Sequence, residues 1–286
     1  MAVTVDSHHH FWDTTKGVFD YYWMTDDLAV IKGVRAPEHL RPWLQMKGID
    51  RTVVVQTIPS VPETELFMET AAATDFVAGI VGWVDLTDPA VGDTLARLQA
   101  RADGRYLVGI RHQVHDEADP EWLLRPEAQR GVAAVGEAGL TYDVLVRSRE
   151  LPSGLATVQA HPGMRFVVDH IAKPNIKEKE IEPWASRMRP LAGYPNVWVK
   201  VSGMITEADW DRWEPDDLVP YVSRLLEWFG PNRLMFGSDW PVCELAGTYD
   251  RVYDAAVHAL GAISADERAA IFGGNAVEAY RLDVTN

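Results

Sequence analysis

The sequence contains a single cysteine, Cys243, among 286 residues. One thiol cannot form an intramolecular disulfide, and it excludes a metal site built from several thiolates. We therefore expect a protein of a reducing, intracellular compartment.

Basic residues and long apolar runs are also scarce. The chain has 27 Lys and Arg against 42 Asp and Glu, a net charge of −15. Such a field repels phosphate backbones and anionic lipid surfaces. No run reaches the roughly eighteen apolar residues that span a bilayer, and the amino terminus lacks the basic and apolar regions of a signal peptide. We predict a cytoplasmic protein with no nucleic-acid or membrane partner.

The composition is that of a globular protein with a large core, because 47% of the residues are hydrophobic and 24% are charged. The length is about twice that of a typical domain, but single (β/α)₈ barrels reach this size. No Ser/Gly linker, low-complexity tract or internal repeat divides the chain. The sequence therefore predicts one domain over residues 1–286.

Short β-branched runs that end in polar residues alternate with segments of helical spacing, such as those after Pro62, Asp88 and Glu214. Strands separated by helices pair in parallel, and eight such units can close into a barrel. An open sheet would commonly place a glycine-rich turn after its first strand, where this chain has histidines. We predict a single-domain (β/α)₈ TIM barrel of the α/β class. The eight runs are VTVDSHHH ending at His10, TVVVQ ending at Gln56, GIVGWVD ending at Asp85, LVGIRHQ from Leu107, LTYDVLV from Leu140, FVVDH ending at His170, VWVKVS ending at Ser202 and LMFGSD ending at Asp239.

The first run carries three successive histidines. Alternation along a strand places Asp6, His8 and His10 on one face, and Ser7 and His9 on the other. Two imidazoles on one face can converge on a divalent metal ion or a polarised carbonyl. A remnant of an affinity tag is the alternative, but the run lies within the strand pattern.

Two further polar residues end later strands: His170 ends the sixth run, and Asp239 ends the eighth. Each alone is typical of a structural or turn residue. Closure of a barrel places strand eight beside strand one and strand six near both. We therefore expect His8, His10, His170 and Asp239 to face one small volume at the carboxyl ends of the strands.

The ordered motifs resemble the amidohydrolase superfamily, and within it the amidohydrolase-related branch. That branch includes lactonases acting on L-fucono-, L-rhamnono- and galactono-lactones and on 2-pyrone-4,6-dicarboxylate. The resemblance implies a barrel with an HxH pair on strand one, a His on strand six and an Asp on strand eight. The matching motifs are DSHHHFWD from Asp6, GIRHQVHDE from Gly109, DHIAKP from Asp169, VKVSG from Val199, FGSDWPV from Phe236 and FGGNAVEAYRL near the end.

Many metal-dependent members of the superfamily carry a carboxylated Lys on strand four, where this chain has Arg111 and His112. The resemblance therefore implies a branch that binds at most one metal ion, and some of its members work without any. We expect no required cofactor. If one Zn²⁺ binds, its ligands are expected among four residues, namely His8, His10, His170 and Asp239.

Hydrolysis of a lactone needs a base for water and donors for the oxyanion. We assign the base to Asp239, with His8 and His10 positioning the water or polarising the carbonyl and His170 as a further oxyanion donor. The candidate substrate-binding residues are Arg111, His112, His115, Lys200, Ser202 and Trp240. Buried ion pairs are the alternative reading of Arg111 and Lys200, and Lys173 belongs to either the rim of the pocket or a solvated loop.

The leading interpretation is a hydrolase that opens a neutral sugar-acid lactone in carbohydrate catabolism, with that small molecule as its partner. A zinc-dependent non-oxidative decarboxylase of the same superfamily is the alternative within the enzyme class. A non-catalytic sugar-binding barrel is a third reading, which the presence of all four central residues disfavours. The sequence does not fix the oligomeric state and leaves a homodimer open.

Overall fold

The computed structural model describes residues 2–284. Its centre is an eight-stranded parallel sheet in which strands adjacent in sequence are adjacent in space. A parallel bridge between His9 and Trp240 joins the two edges of the sheet. The predicted barrel and its eight strands are confirmed. The strands are β1 (Val5–His9), β2 (Arg51–Val55), β3 (Val77–Gly82), β4 (Leu107–His112), β5 (Thr141–Val144), β6 (Phe166–Val168), β7 (Val197–Val201) and β8 (Leu234–Phe236).

The helices alternate with the strands and include the three segments predicted from periodicity, as α2, α3 and α7 below. In the described range 2–284, no helix has the length and apolar character needed to cross a membrane. The helices are α1 (Pro37–Lys47), α2 (Val61–Ala73), α3 (Val91–Gln99), α4 (Pro126–Glu137), α5 (Leu151–Ala160), α6 (Trp184–Met188), α7 (Val219–Phe229), α8 (Tyr249–Leu260), α9 (Ala265–Ala269) and α10 (Asn275–Tyr280).

The barrel interior is filled at one end by β-branched and aromatic side chains. Helix α10 packs there at the amino ends of the strands, where the Thr141 hydroxyl donates to the Ala279 carbonyl oxygen at 2.7 Å. Each fully buried valine contributes about 1.5–3 kcal/mol of transfer free energy. This apolar plug leaves the carboxyl ends of the strands as the place for polar chemistry. Its side chains include Val5, Val53, Val81, Val167, Met235 and Tyr280.

The long segment between β1 and α1 has structure that the sequence patterns do not reveal. Trp12–Asp13 pairs in antiparallel fashion with Val34–Arg35. Strands of two residues are too short to carry a periodic signal, so this ribbon was not predicted. The segment has its own small core of three buried side chains, Trp12, Met24 and Ile31.

The prediction that Asp6 shares a strand face with His8 and His10 is wrong. The pairing of β1 with β2 shifts register between Asp6 and His9. Asp6 therefore turns outward, where it accepts a hydrogen bond from the Tyr249 hydroxyl of α8 at 3.1 Å. It also accepts one from the Ser238 backbone N–H at 2.9 Å, which ties the end of β8 to β1.

A buried carboxyl group braces the loop after β2. The Thr57 N–H donates to Glu63 Oε2 at 2.8 Å and the Ile58 N–H at 3.2 Å, and the Thr57 hydroxyl donates to Oε1. Burial raises the pKa of Glu63 from 4.5 to about 7, against the opposing effect of these hydrogen bonds. The protonated form is thus the one that the fold prefers.

Glu63→Gln should flatten the dependence of stability on pH. The folded protein holds this proton to a higher pH than the unfolded chain, so wild-type stability falls as pH rises from about 4.5 to about 7, by on the order of 3 kcal/mol at full ionisation. Thermal unfolding followed by circular dichroism from about pH 5 to about pH 8 measures the effect. Glu69→Gln, on the exposed face of the same helix, should follow the wild type. If the stability of the wild type and that of Glu63→Gln changed with pH in the same way, the raised pKa of Glu63 would be contradicted.

Candidate active site

Four side chains meet at the carboxyl ends of β1, β6 and β8. The Asp239 Oδ1 atom lies 3.3 Å from His10 Nε2, 3.8 Å from His8 Nε2 and 3.8 Å from His170 Nε2. The structure thus brings together the four residues that the sequence placed in one volume. One carboxylate oxygen faces three imidazoles.

The loop after β6 holds His170 by an unusual backbone. Four consecutive residues, 170–173, have φ between 48° and 59°, and Asp239 has φ 58°. Left-handed backbone is unfavourable for side chains with a Cβ, most of all for branched Ile171. The indole N–H of Trp184 donates to the Ile171 carbonyl oxygen at 2.6 Å and helps to hold the turn. Such strain is typical of functional sites.

The His170 ring is fixed from β7. His170 Nδ1 lies 2.9 Å from the Ser202 hydroxyl oxygen. A Cβ atom on Gly203 would lie 2.5 Å from the same nitrogen, so only glycine permits this approach. Burial lowers the pKa of His170 to about 4, despite the attraction of Asp239. His170 is therefore a neutral imidazole at neutral pH.

Asp239 is the anion of the cluster. Burial by itself raises the pKa of this carboxyl group, but the interactions with His170 and His10 outweigh burial and lower it below its ordinary value. Asp239 is ionised at neutral pH, as a base must be.

His8 lies between two cations. Its Nδ1 is 3.2 Å from Lys200 Nζ, and its Nε2 is 3.3 Å from Arg111 Nη1. Burial, followed by the charge of Lys200, lowers the pKa of His8 well below its usual range. His8 is thus held neutral.

These cations belong to a buried network below the cluster. Lys200 Nζ lies 2.6 Å from Asp143 Oδ2 and 2.9 Å from Asp169 Oδ1, and Arg111 Nη1 donates to Asp169 Oδ2 at 2.9 Å. Burial acts to raise the pKa of Asp169, but Lys200, His8 and Arg111 outweigh it and lower the pKa well below its ordinary value. Two cations thus face two carboxyl groups, which offsets much of the cost of burying them.

A cavity of about 320 Å³ opens above the cluster. His10, His170, Asp239 and Arg111 reach it from below. Its polar side includes two residues that sequence reasoning missed, Arg147 and Glu207, from the loops after β5 and β7. The only signal for them was the presence of charged residues just beyond a strand end.

Two of the six predicted substrate-binding residues, Arg111 and His115, line this cavity. Arg111 also makes the ion pair that was its alternative reading. Lys200 is fully buried in its own ion pairs, as its alternative reading held.

The other predicted residues lie beside the cavity. His112 stacks on Trp122 with ring centres 4.1 Å apart, and its Nε2 lies 2.9 Å from a Glu117 carboxylate oxygen. The Trp240 indole N–H donates to Glu244 at 2.9 Å. Lys200, Ser202, His112 and Trp240 are not among the described residues that line the cavity.

A larger cavity, of about 480 Å³, lies at the opposite end of the barrel, at the amino ends of β2, β3 and β4. It lies away from the imidazoles and Asp239. Barrel enzymes build their active sites at the carboxyl ends of the strands, so we assign the site to the smaller cavity.

The cluster has the composition of a metal site. The ligand atoms of His8, His170 and Asp239 all lie within 4.8 Å of one another. Imidazole nitrogens and a carboxylate oxygen are common ligands of zinc. His10 Nδ1 donates to the Val55 carbonyl oxygen at 2.7 Å, and its Nε2 atom faces Asp239. These residues therefore fit a divalent ion.

Comparison with known proteins agrees with this geometry. The amidohydrolase family model matches residues 5–282, so the chain belongs to the amidohydrolase family. An L-fucono-1,5-lactonase of Burkholderia ambifaria is 39% identical over 99% of this chain and 97% of its own. Another, of Burkholderia multivorans, is 36% identical over 98% and 97%. A zinc-bound amidohydrolase structure from Burkholderia multivorans superposes with a TM-score of 0.91 at 36% identity, over 99% of this chain and 100% of that one. The resemblance drawn from the motifs is confirmed.

Zinc added to the protein should bind through Asp239. We expect Asp239→Asn to weaken zinc affinity at least about tenfold, because an ionised ligand becomes a neutral amide. Isothermal titration with zinc measures this. Asp116→Asn, which removes the same charge from the same cavity but not from the ligand set, is the control and should bind like the wild type. Equal losses in the two variants would show an effect of charge alone.

Proposed function

We propose that the protein hydrolyses a sugar-acid lactone to the aldonic acid. The observation that carries this proposal is the ionised carboxylate of Asp239 beside three imidazoles at the base of an open cavity. The full-length similarity to two L-fucono-1,5-lactonases supports it.

Asp239 and His10 are suited to orient the attacking water. His10 Nδ1 donates to the Val55 carbonyl oxygen, and His10 Nε2 lies 3.3 Å from the Asp239 carboxylate, so the two groups meet at one point of the cavity. A water molecule there that donates a proton to Asp239 presents its lone pair to the lactone carbonyl carbon. Asp239 then takes the proton as the new C–O bond forms.

The oxyanion needs donors that are already in place. The Arg111 guanidinium directs its N–H groups to Gln56, Asp169 and His8, so it contributes the field of a permanent cation at the floor of the cavity. His170 is the hydrogen-bond donor, through Nε2, when its Nδ1 accepts from Ser202. When the tetrahedral intermediate collapses, the ring C–O bond breaks and the proton on Asp239 passes to the leaving alkoxide. A zinc ion, if held by His8, His170 and Asp239, would supply Lewis-acid polarisation of the carbonyl in place of the His170 N–H donor.

The alternative of a decarboxylase has less support, because the named curated relatives over the full chain are lactonases. A small-molecule substrate fits the size of the cavity. The homodimer and the cytoplasmic location remain predictions.

Asp239→Asn should abolish lactone hydrolysis while leaving the fold intact. Loss of a general base typically costs about 100-fold to 10,000-fold in rate. Acid release from an aldonolactone, followed with a pH indicator, measures kcat and KM, and circular dichroism checks the fold. Asp116→Asn should affect mainly KM, because Asp116 lines the cavity without touching the cluster. Unchanged turnover in Asp239→Asn would reject the proposal.

Gly203→Ala should lower activity by displacing His170. The added methyl group would overlap His170 Nδ1, and the backbone there has φ +59°. Gly230→Ala is a matched control, since Gly230 has φ +69° but no atom within 4 Å of the added carbon. Both variants should lose at least about 1 kcal/mol of stability, Gly203→Ala more because of the overlap with His170, and only Gly203→Ala should lose kcat. Equal activity in the two variants would mean that the position of His170 is unimportant.

A further inference from the structure

The cavity above the cluster has two unlike walls. We define the apolar wall as Trp23 and Leu28, from the segment between β1 and α1, with Val242 and Leu245, from the turn after β8. These half-buried side chains pack against the small core of Trp12, Met24 and Ile31. The Trp23 indole N–H donates to the Thr57 carbonyl oxygen at 3.0 Å, so part of the apolar wall is held in place without a ligand.

The opposite wall carries the charged side chains, together with Leu145 and Trp210 from the same loops, and its charges are balanced. Arg147 Nη1 lies 3.2 Å from Glu207 Oε2, and Lys173 Nζ contacts Glu207 Oε1. Asp116 adds a third carboxylate to the two that already face this cavity, those of Glu207 and Asp239. Paired cations and carboxylates donate to and accept from hydroxyl groups, but they offer no surplus positive charge for a substrate carboxylate.

A ligand that matches both walls has hydroxyl groups on one side and an apolar group on the other. We propose that the apolar wall binds the methyl group of a 6-deoxy-sugar lactone and thereby determines specificity, an inference that rests on the proposed lactonase function. In a 1,5-lactone the carbon that bears this methyl group is bonded to the ring oxygen that leaves. The Cys243 N–H donates to the Asp239 carbonyl oxygen at 2.9 Å, so this turn holds Val242 close to the base, and both residues line the cavity. When the carbonyl carbon lies near Asp239, the methyl group, which is joined to that carbon through the ring oxygen and one ring carbon, can contact the apolar wall at Val242.

Discrimination comes from the group at C6. A hydroxymethyl group in place of the methyl group buries a hydroxyl against side chains that offer it no hydrogen bond. Apolar pockets reject such analogues by about 10-fold to 100-fold. The wild type should show a preference of this size.

The experiment compares two lactones of the same stereochemistry, L-fucono-1,5-lactone and its 6-hydroxy counterpart L-galactono-1,5-lactone. The readout is the ratio of their kcat/KM values.

Val242→Thr keeps the shape of the side chain and replaces a methyl group by a hydroxyl, and it should lower the ratio at least about threefold. Leu28→Asn, on the other element of the apolar wall, should lower the ratio in the same direction. Val30→Thr is the matched control, because Val30 is 58% exposed and is not among the described residues lining the cavity; its ratio should equal that of the wild type.

The outcomes separate the two proposals. A wild-type preference for the 6-deoxy lactone that falls in Val242→Thr and Leu28→Asn but not in Val30→Thr supports the assignment. Equal hydrolysis of the two lactones by the wild type, or ratios that the two wall variants leave unchanged, overturns it and leaves the lactonase function standing. Hydrolysis of neither lactone, nor of other aldonolactones, overturns both.

Discussion

Two backbone hydrogen bonds across the closure of the barrel determine the site. The Asp239 N–H donates to the His8 carbonyl oxygen at 2.8 Å, and the His10 N–H donates to the Trp240 carbonyl oxygen at 2.7 Å. These bonds fix the carboxylate beside the imidazoles of His8 and His10, although His10 and Asp239 are 229 residues apart in the chain. The left-handed backbone at Asp239 and at 170–173 then turns the remaining groups inward. Strain is tolerated there because the packed surroundings leave no other arrangement.

Electrostatics divides the roles among similar residues. Burial favours neutral imidazoles at His8 and His170, whereas interactions with the histidines keep Asp239 ionised. The network of Lys200 and Arg111 with Asp143 and Asp169 places two basic groups next to His8 and pairs each of them with a buried carboxyl group. The cavity thus has an anionic base, Asp239, at one point and the positive charge of Arg111 at another. This separation is what ester hydrolysis requires.

Much of the fold and of the central cluster could be predicted from the sequence. β-branched runs ending in polar residues identify strands, and parallel closure places their ends together. Alternation gives the face of a side chain but not its depth, so Lys200 and Ser202, which were predicted to share a face, both stop short of the cavity. The register shift in β1 turns the Asp6 side chain to the opposite face from the one predicted, and no sequence pattern signals such a shift. The left-handed turn at His170 contains no glycine, so it had no signal either.

The most direct test of this account is a crystal structure of the protein with a non-hydrolysable lactam analogue of the sugar lactone. The account predicts that the carbonyl carbon lies over the Asp239 carboxylate, with the carbonyl oxygen within hydrogen-bonding distance of Arg111 or His170. A lactam bound at the opposite end of the barrel, or bound in the cavity with its carbonyl beyond the reach of Asp239, Arg111 and His170, would contradict it.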